Sequence, residues 1–198
     1  MKKLVIGITG GIGSGKSSVS KIYEDSGFIV IKADLIAKNI IQNDIEVANR
    51  IKKEFGDETF QNNQLNAKYL ANIVFNNEEK LKKLNSIVHP ATINKISEEI
   101  KKYQISEKII FVEAALIFEA KMEELFDFIL LVTADEEIRI ERVSNRDHIS
   151  KADISKRIAN QILEKIKKSK SDFIIENNKS LEDLKSKSEF FLKIFQTI

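Results

Sequence analysis

The chain has 198 residues, 32 Lys and Arg against 30 Asp and Glu, a formal net charge of +2, 42% hydrophobic residues and no cysteine. This length and apolar content predict one domain around one sizeable core, with room for a small insertion. The near balance of charge argues against nucleic acid or a membrane surface as the main partner, and the lack of Cys excludes disulfides, thiol nucleophiles and zinc–thiolate centres.

The longest apolar runs, residues 109–117 and 126–132, are too short to cross a bilayer and carry Glu113 and Asp127. Met1-Lys2-Lys3 followed by Leu4-Val5-Ile6-Gly7-Ile8 mimics the start of a signal peptide, but Gly10, Gly11, Gly13 and Lys16 break the apolar region early. The expected location is the cytoplasm.

In chain order, residues 2–9 read as a short, fully buried strand. Residues 16–26 read as a helix with Gly27 as its stop, and 28–32 as a second apolar strand. Residues 34–43 and 45–55 are helical in pattern, ending near Gly56. From 57 to 103 the pattern is helical, strand-poor and rich in Asn and Lys; Pro90 suits the first turn of a helix that begins after His89. Residues 108–113 and 127–132 are two more buried strands. Helices are predicted over 135–146 and 151–168, a fifth strand over 173–176 and a closing helix over 181–195. Strands alternating with helices imply an α/β fold with a parallel sheet, and the middle helical block reads as an insertion on it.

Gly10-Gly11-Ile12-Gly13-Ser14-Gly15-Lys16-Ser17 fits G-x-x-x-x-G-K-[ST] and lies between a predicted strand and a predicted helix. A loop that wraps a phosphate needs inward N–H groups, positive φ angles and close backbone approach, all of which side chains obstruct. The helix that follows adds the partial positive charge of its N-terminus. Lys16 is placed to reach the β- and γ-phosphates of a nucleotide, and the Ser17 hydroxyl to bind Mg²⁺. A plain glycine-rich turn is the alternative, and the Gly-Lys-Ser register in that context argues against it. The loop alone does not separate a kinase from a GTPase or a motor ATPase.

Several side chains are candidates, each with a plainer reading beside it. Asp34 follows the second strand, at the sheet edge where ligands gather; it could accept a proton from an attacking hydroxyl, contact Mg²⁺ through water, or cap a helix from Leu35. If residues 32–34 are extended, Lys32 points the same way as Asp34 and sets an ammonium beside it. Arg139, Arg142 and Arg146 share one helical face; they could clamp phosphate or form a solvated face paired with Asp135, Glu137 and Glu141. His89, before proline, is biased to an extended backbone. Phe118 could touch an acceptor substrate or belong to the core. Glu113 ends a buried strand, where an unpaired charge is costly; a water-mediated Mg²⁺ contact or a Lys partner would account for it.

Thr9 through Ser17, then Lys32-Ala33-Asp34-Leu35-Ile36-Ala37, His89-Pro90, Ala115-Leu116-Ile117-Phe118-Glu119, Arg142 with Arg146-Asp147, Arg157 with Gln161, and Asp172 to Asn177 together resemble the dephospho-coenzyme A kinase family, in the right order over nearly the whole chain. The resemblance implies a P-loop NTPase core over residues 1–198 with a five-stranded parallel sheet flanked by helices. It also implies a helical substrate-binding insertion at 57–104 and a lid at 139–168. It implies transfer of the ATP γ-phosphate to the 3′-hydroxyl of dephospho-CoA. The roles carried over are catalysis by Lys16, Asp34 and Arg142; ATP binding by Gly11, Ile12, Gly13, Ser14, Gly15, Lys16, Ser17, Ser18, Arg146 and Asn177; substrate contact by His89, Phe118 and Glu119; and Mg²⁺ at Ser17. Arg139 is left to the solvated face. The chain departs from the family's pattern at Lys32 (usually Asp), Glu113 (commonly Asp), Ala115 (usually Pro) and Lys179 (usually Gly). The rivals are another small-molecule P-loop kinase and a GTPase-type switch. The switch is disfavoured because Asn178-Lys179-Ser180-Leu181 lacks the Asp of N-K-x-D.

Overall fold

A computed structural model describes residues 3–62, 64–74 and 77–198. Lys2, assigned above to the first strand, lies outside them, as do Asn63, Phe75 and Asn76 within the 57–104 stretch. The elements are β1 (Leu4–Thr9), α1 (Lys16–Asp25), β2 (Ile29–Lys32), α2 (Ala33–Asn43), α3 (Ile45–Phe55), β3 (Phe60–Gln61), β4 (Gln64–Leu65), α4 (Ala67–Val74), α5 (Glu78–Tyr103), β5 (Ile109–Glu113), β6 (Phe128–Thr133), α6 (Glu136–Asp147), α7 (Lys151–Ala159), α8 (Glu164–Lys170), β7 (Phe173–Glu176) and α9 (Leu181–Thr197). They divide into two compact units, one of Ala33–Glu98 and one of the residues on either side.

The flanking unit is an α/β domain on a five-stranded sheet of order β2-β5-β1-β6-β7. Every pairing in it is parallel. β1, β5 and β6 are apolar until their last residues, Thr9, Glu113 and Thr133, because helices cover a parallel sheet on both faces and leave little solvent side for polar residues to occupy. Ile6 and Ile8 of β1, Phe111 of β5 and Leu130 and Val132 of β6 share one core with Val19 and Tyr23 of α1 and Leu184, Leu192 and Phe195 of α9. The Phe111 ring sits 4.4 Å from Tyr23 and 6.0 Å from Phe195, centroid to centroid. Because the strands run the same way, the ends of β1, β5, β6 and β7 open on one edge, with β1 between β5 and β6. Ligands of such sheets gather at this edge.

The other unit gathers α2, α3, α4 and most of α5 around Ile40, Val47, Ile51, Phe55, Leu70, Val74, Ile87 and Val88. Its start at Ala33 is earlier than the 57–104 insertion read from the sequence, because α2 and α3 bury apolar residues in this core. The stretch also holds the antiparallel pair β3–β4.

Four local expectations are corrected. α5 runs unbroken from Glu78 to Tyr103 with Pro90 inside it, so no helix begins after His89 and His89 is helical, not extended. An interior proline costs about 3 kcal/mol, and the adjacent Ile87 and Val88, both buried, offset it at about 1.5–3 kcal/mol each. The helix expected over 151–168 is broken between Ala159 and Glu164, where the Ile162 N–H donates to Glu119 Oε1 at 3.0 Å. α2 starts at Ala33, so Asp34 is in its first turn and is not its N-cap. The alternation that would align Lys32 with Asp34 therefore ends at Lys32, whose ammonium lies 2.9 Å from Glu24 Oε1.

Candidate active site

The loop between β1 and α1 is shaped for an anion. Gly15, its last residue before the helix, has φ +99° and is the N-cap of α1, with no side-chain cap and no acidic residue in the first turn. The positive end of α1, with no side-chain cap of its own, thus favours an anion. A side chain at Gly15 would be strained by that φ and would collide with the Asn177 amide.

Beside the loop, Ser17, Lys16 and Glu113 form one cluster. Glu113 ends β5 opposite Ile8 of β1 and is 6% exposed. The Ser17 hydroxyl donates to its carboxylate in a short hydrogen bond, and the Lys16 ammonium lies 3.5 Å from the same oxygen. Glu113 thus has the Lys partner that its burial demanded. A hydroxyl and a carboxylate are hard oxygen donors, too few to cage an ion alone. That is the kind of set Mg²⁺ uses when phosphate oxygens and water complete its shell, so the residues fit the ion.

Arg142 and Arg146 of α6 close the other side. The loop from Gly11 to Ser18 floors a pocket of about 200 Å³ walled by Arg142, Val143 and Arg146. Arg142 donates from Nη1 to the Asn177 carbonyl at 3.0 Å and from Nη2 to its Oδ1 at 3.5 Å. The buried Asn177 side chain in turn donates to the Ser14 carbonyl at 2.8 Å. Arg146 forks onto Asp147 at 2.7 and 2.8 Å; this hydrogen-bonded guanidinium holds the Asp147 carboxyl below its ordinary range. The structure thus brings together Lys16, Ser17, Arg142, Arg146 and Asn177, which the sequence singled out.

The remaining candidates have other surroundings. Asp34 is exposed at the start of α2 and His89 is half-buried in α5; both belong to the 33–98 unit. Phe118 is buried, with the Lys170 ammonium 5.7 Å from its ring centroid. Glu119 is committed to the Ile162 N–H and to Lys167, 2.9 Å away. Arg139, expected on a solvated face with Asp135, Glu137 and Glu141, is 5% exposed; its Nη1 lies 2.5 Å from Glu164 Oε2. The i, i+3, i+7 spacing identified a shared face but not what covers it, and the cover comes from α8, far along the chain.

Comparison with known proteins shows the family. The family model described as "Dephospho-CoA kinase" matches residues 4–183. A dephospho-CoA kinase of Fusobacterium nucleatum is 41% identical over 192 residues, 96% of this chain and 98% of the relative. A solved dephospho-CoA kinase from Campylobacter jejuni superposes with a TM-score of 0.72 at 30% identity, over 96% of this chain and 95% of that one. A shikimate kinase from Acinetobacter baumannii, at TM-score 0.58 and 10% identity over 98% and 94% of the two chains, shares the fold alone.

Proposed function

The chain belongs to the dephospho-CoA kinase family, and from that premise we propose how its residues transfer the γ-phosphate of ATP to the 3′-hydroxyl of dephospho-CoA. It is an ATP-dependent kinase on a P-loop fold. The observation that carries the reading is the pocket in which the glycine loop, Lys16 and Ser17 face Arg142 and Arg146 across one small volume.

Catalysis of phosphoryl transfer is mostly positioning and charge stabilisation. Amides of the Gly13–Ser17 stretch cradle the ATP phosphates while the Ile12 N–H stays on Gln161, and the Lys16 ammonium draws the β- and γ-oxygens together. Arg142 presents the guanidinium donors that Asn177 does not use. Arg146 leaves Asp147 to join it on the phosphate, an exchange of one charge-assisted fork for another. Mg²⁺, held through Ser17 with Glu113 behind it, would neutralise phosphate charge when bound. Asp34 takes the proton of the 3′-hydroxyl as its oxygen bonds to the γ-phosphorus and the bond to the β-phosphate oxygen breaks, releasing ADP. His89, in the 33–98 unit, orients dephospho-CoA, and residues 139–168 act as the lid. Glu119 supports the α7–α8 turn through the Ile162 N–H, and Phe118 is buried beneath Lys170 of α8, which accounts for their burial and partners better than direct substrate contact does.

Among the described residues no helix is long and apolar enough to cross a membrane; the reading is of a cytoplasmic enzyme whose partner is the small molecule dephospho-CoA. The test is ADP release with dephospho-CoA, AMP or shikimate as acceptor. The reading expects turnover with dephospho-CoA alone; comparable turnover with either of the others overturns it.

A further inference from the structure

Ile12, at the crest of the phosphate loop, has both of its backbone polar groups taken by side chains from the far half of the chain. Arg139 of α6 donates from Nε to the Ile12 carbonyl at 2.9 Å. Gln161, in the turn between α7 and α8, accepts from the Ile12 N–H at 3.0 Å. The buried Arg139 guanidinium is anchored in turn by Glu164, the first residue of α8. Contact on this side is tight, since a Cβ at Gly11 would run into the Arg139 guanidinium. The neighbouring turn residue Ile162 is fixed separately by Glu119.

We propose that Arg139 and Gln161 are positioning residues for phosphoryl transfer, which hold the crest of the loop in its ATP-ready curvature and tie that curvature to residues 160–164. Neither needs to touch substrate. A loop this rich in glycine loses much backbone freedom on ordering. Side chains that order it beforehand raise the fraction of molecules competent to bind, and apparent affinity scales with that fraction. The same link makes the α7–α8 turn a means of altering ATP affinity, because displacing it withdraws Gln161 and Glu164 together. This rests on the reading that the loop binds ATP.

Gln161→Met keeps the length and removes the acceptor; Arg139→Lys keeps a charge for Glu164 and removes the planar donor. The experiment measures dissociation constants for ATP·Mg²⁺ and for dephospho-CoA by calorimetry on the full chain, with amide exchange of the 10–16 segment in the ligand-free protein. Loss of one such hydrogen bond should weaken ATP binding about threefold to tenfold. Dephospho-CoA binding should stay within about twofold and exchange of the segment should accelerate. The double variant should lose less than the product of the two single losses, since both side chains hold the same residue. If the Met variant does not fold, Gln161→Asn, which draws the acceptor back by one methylene, serves instead. Unchanged ATP affinity in both single variants, or equal losses for both ligands, overturns the proposal. A wild-type chain that does not bind ATP would instead overturn the reading beneath it.

Discussion

Lys167 and Glu119 form a deeply buried ion pair, with side chains 3% and 13% exposed and 2.9 Å between ammonium and carboxylate. Neither the ammonium nor Glu119 Oε2 has a directed hydrogen bond among the described residues, so the pair depends on mutual charge. Removing one partner leaves a buried charge uncompensated, at a cost of about 3–5 kcal/mol. For a chain of this size each kcal/mol lowers Tm by roughly 2–4 °C, so Lys167→Met and Glu119→Gln should each melt roughly 6–20 °C early. The double variant should recover most of that loss. Met fills the volume of the Lys stem, and the Gln amide oxygen can still accept from the Ile162 N–H. Thermal unfolding by circular dichroism of the four proteins gives the coupling directly. Single losses below about 1 kcal/mol, or a double variant that melts at the sum of the single losses, would refute a coupled buried pair and return Glu119 to the role of substrate contact.

Arg142→Ala should cut kcat by about 10³–10⁵ if its guanidinium stabilises the moving phosphoryl group, with only partial recovery in Arg142→Lys; steady-state kinetics at saturating ATP·Mg²⁺ decide, and a loss of tenfold or less contradicts the role. Gly15→Ala should cost about 2–3 kcal/mol, from a left-handed backbone and the displaced Asn177 hydrogen bond, and should lower Tm by roughly 4–12 °C; an unshifted melting curve would show that the loop relaxes freely. Asp147, with its carboxyl held low by Arg146, contributes stability present above the unfolded carboxylate value of about 4 and lost as pH falls through the lower folded one. The pair is solvent-screened and worth at most about 1 kcal/mol, so Asp147→Asn should be the less stable protein near neutrality and converge with wild type in acid; a gap that stays constant with pH would point to another cause.

The phosphate loop, the parallel strands and the closing helix were legible because they rest on local signals: a fixed glycine spacing, short apolar runs and periodicity. Lys16, Ser17, Arg142, Arg146 and Asn177 converge because strand ends and one helix face bring them to a single edge of the sheet. What the sequence did not reveal depends on distant partners. Arg139 reads as one more surface arginine until Glu164 and Ile12 are set against it. The break between α7 and α8 depends on Glu119, 43 residues before Ile162. Pro90 is a strong local breaker, yet it is overridden by the burial of Ile87 and Val88 just before it. Glu113 was recognised as a buried charge in need of a partner, but that its partners are the lysine and serine of the phosphate loop itself is a matter of strand pairing.

The central claim is that Lys16 and its loop deliver the γ-phosphate of ATP to dephospho-CoA. The most direct measurement follows that phosphate: ATP labelled at the γ-position is incubated with dephospho-CoA and Mg²⁺, and the products of wild type and Lys16→Ala are separated. The account predicts label in CoA, on the 3′-oxygen, with wild type, and almost none with a Lys16→Ala protein that is folded by circular dichroism but melts earlier, having lost the lysine partner of Glu113. Label released as free phosphate, or equal labelling of CoA by the two proteins, would contradict it.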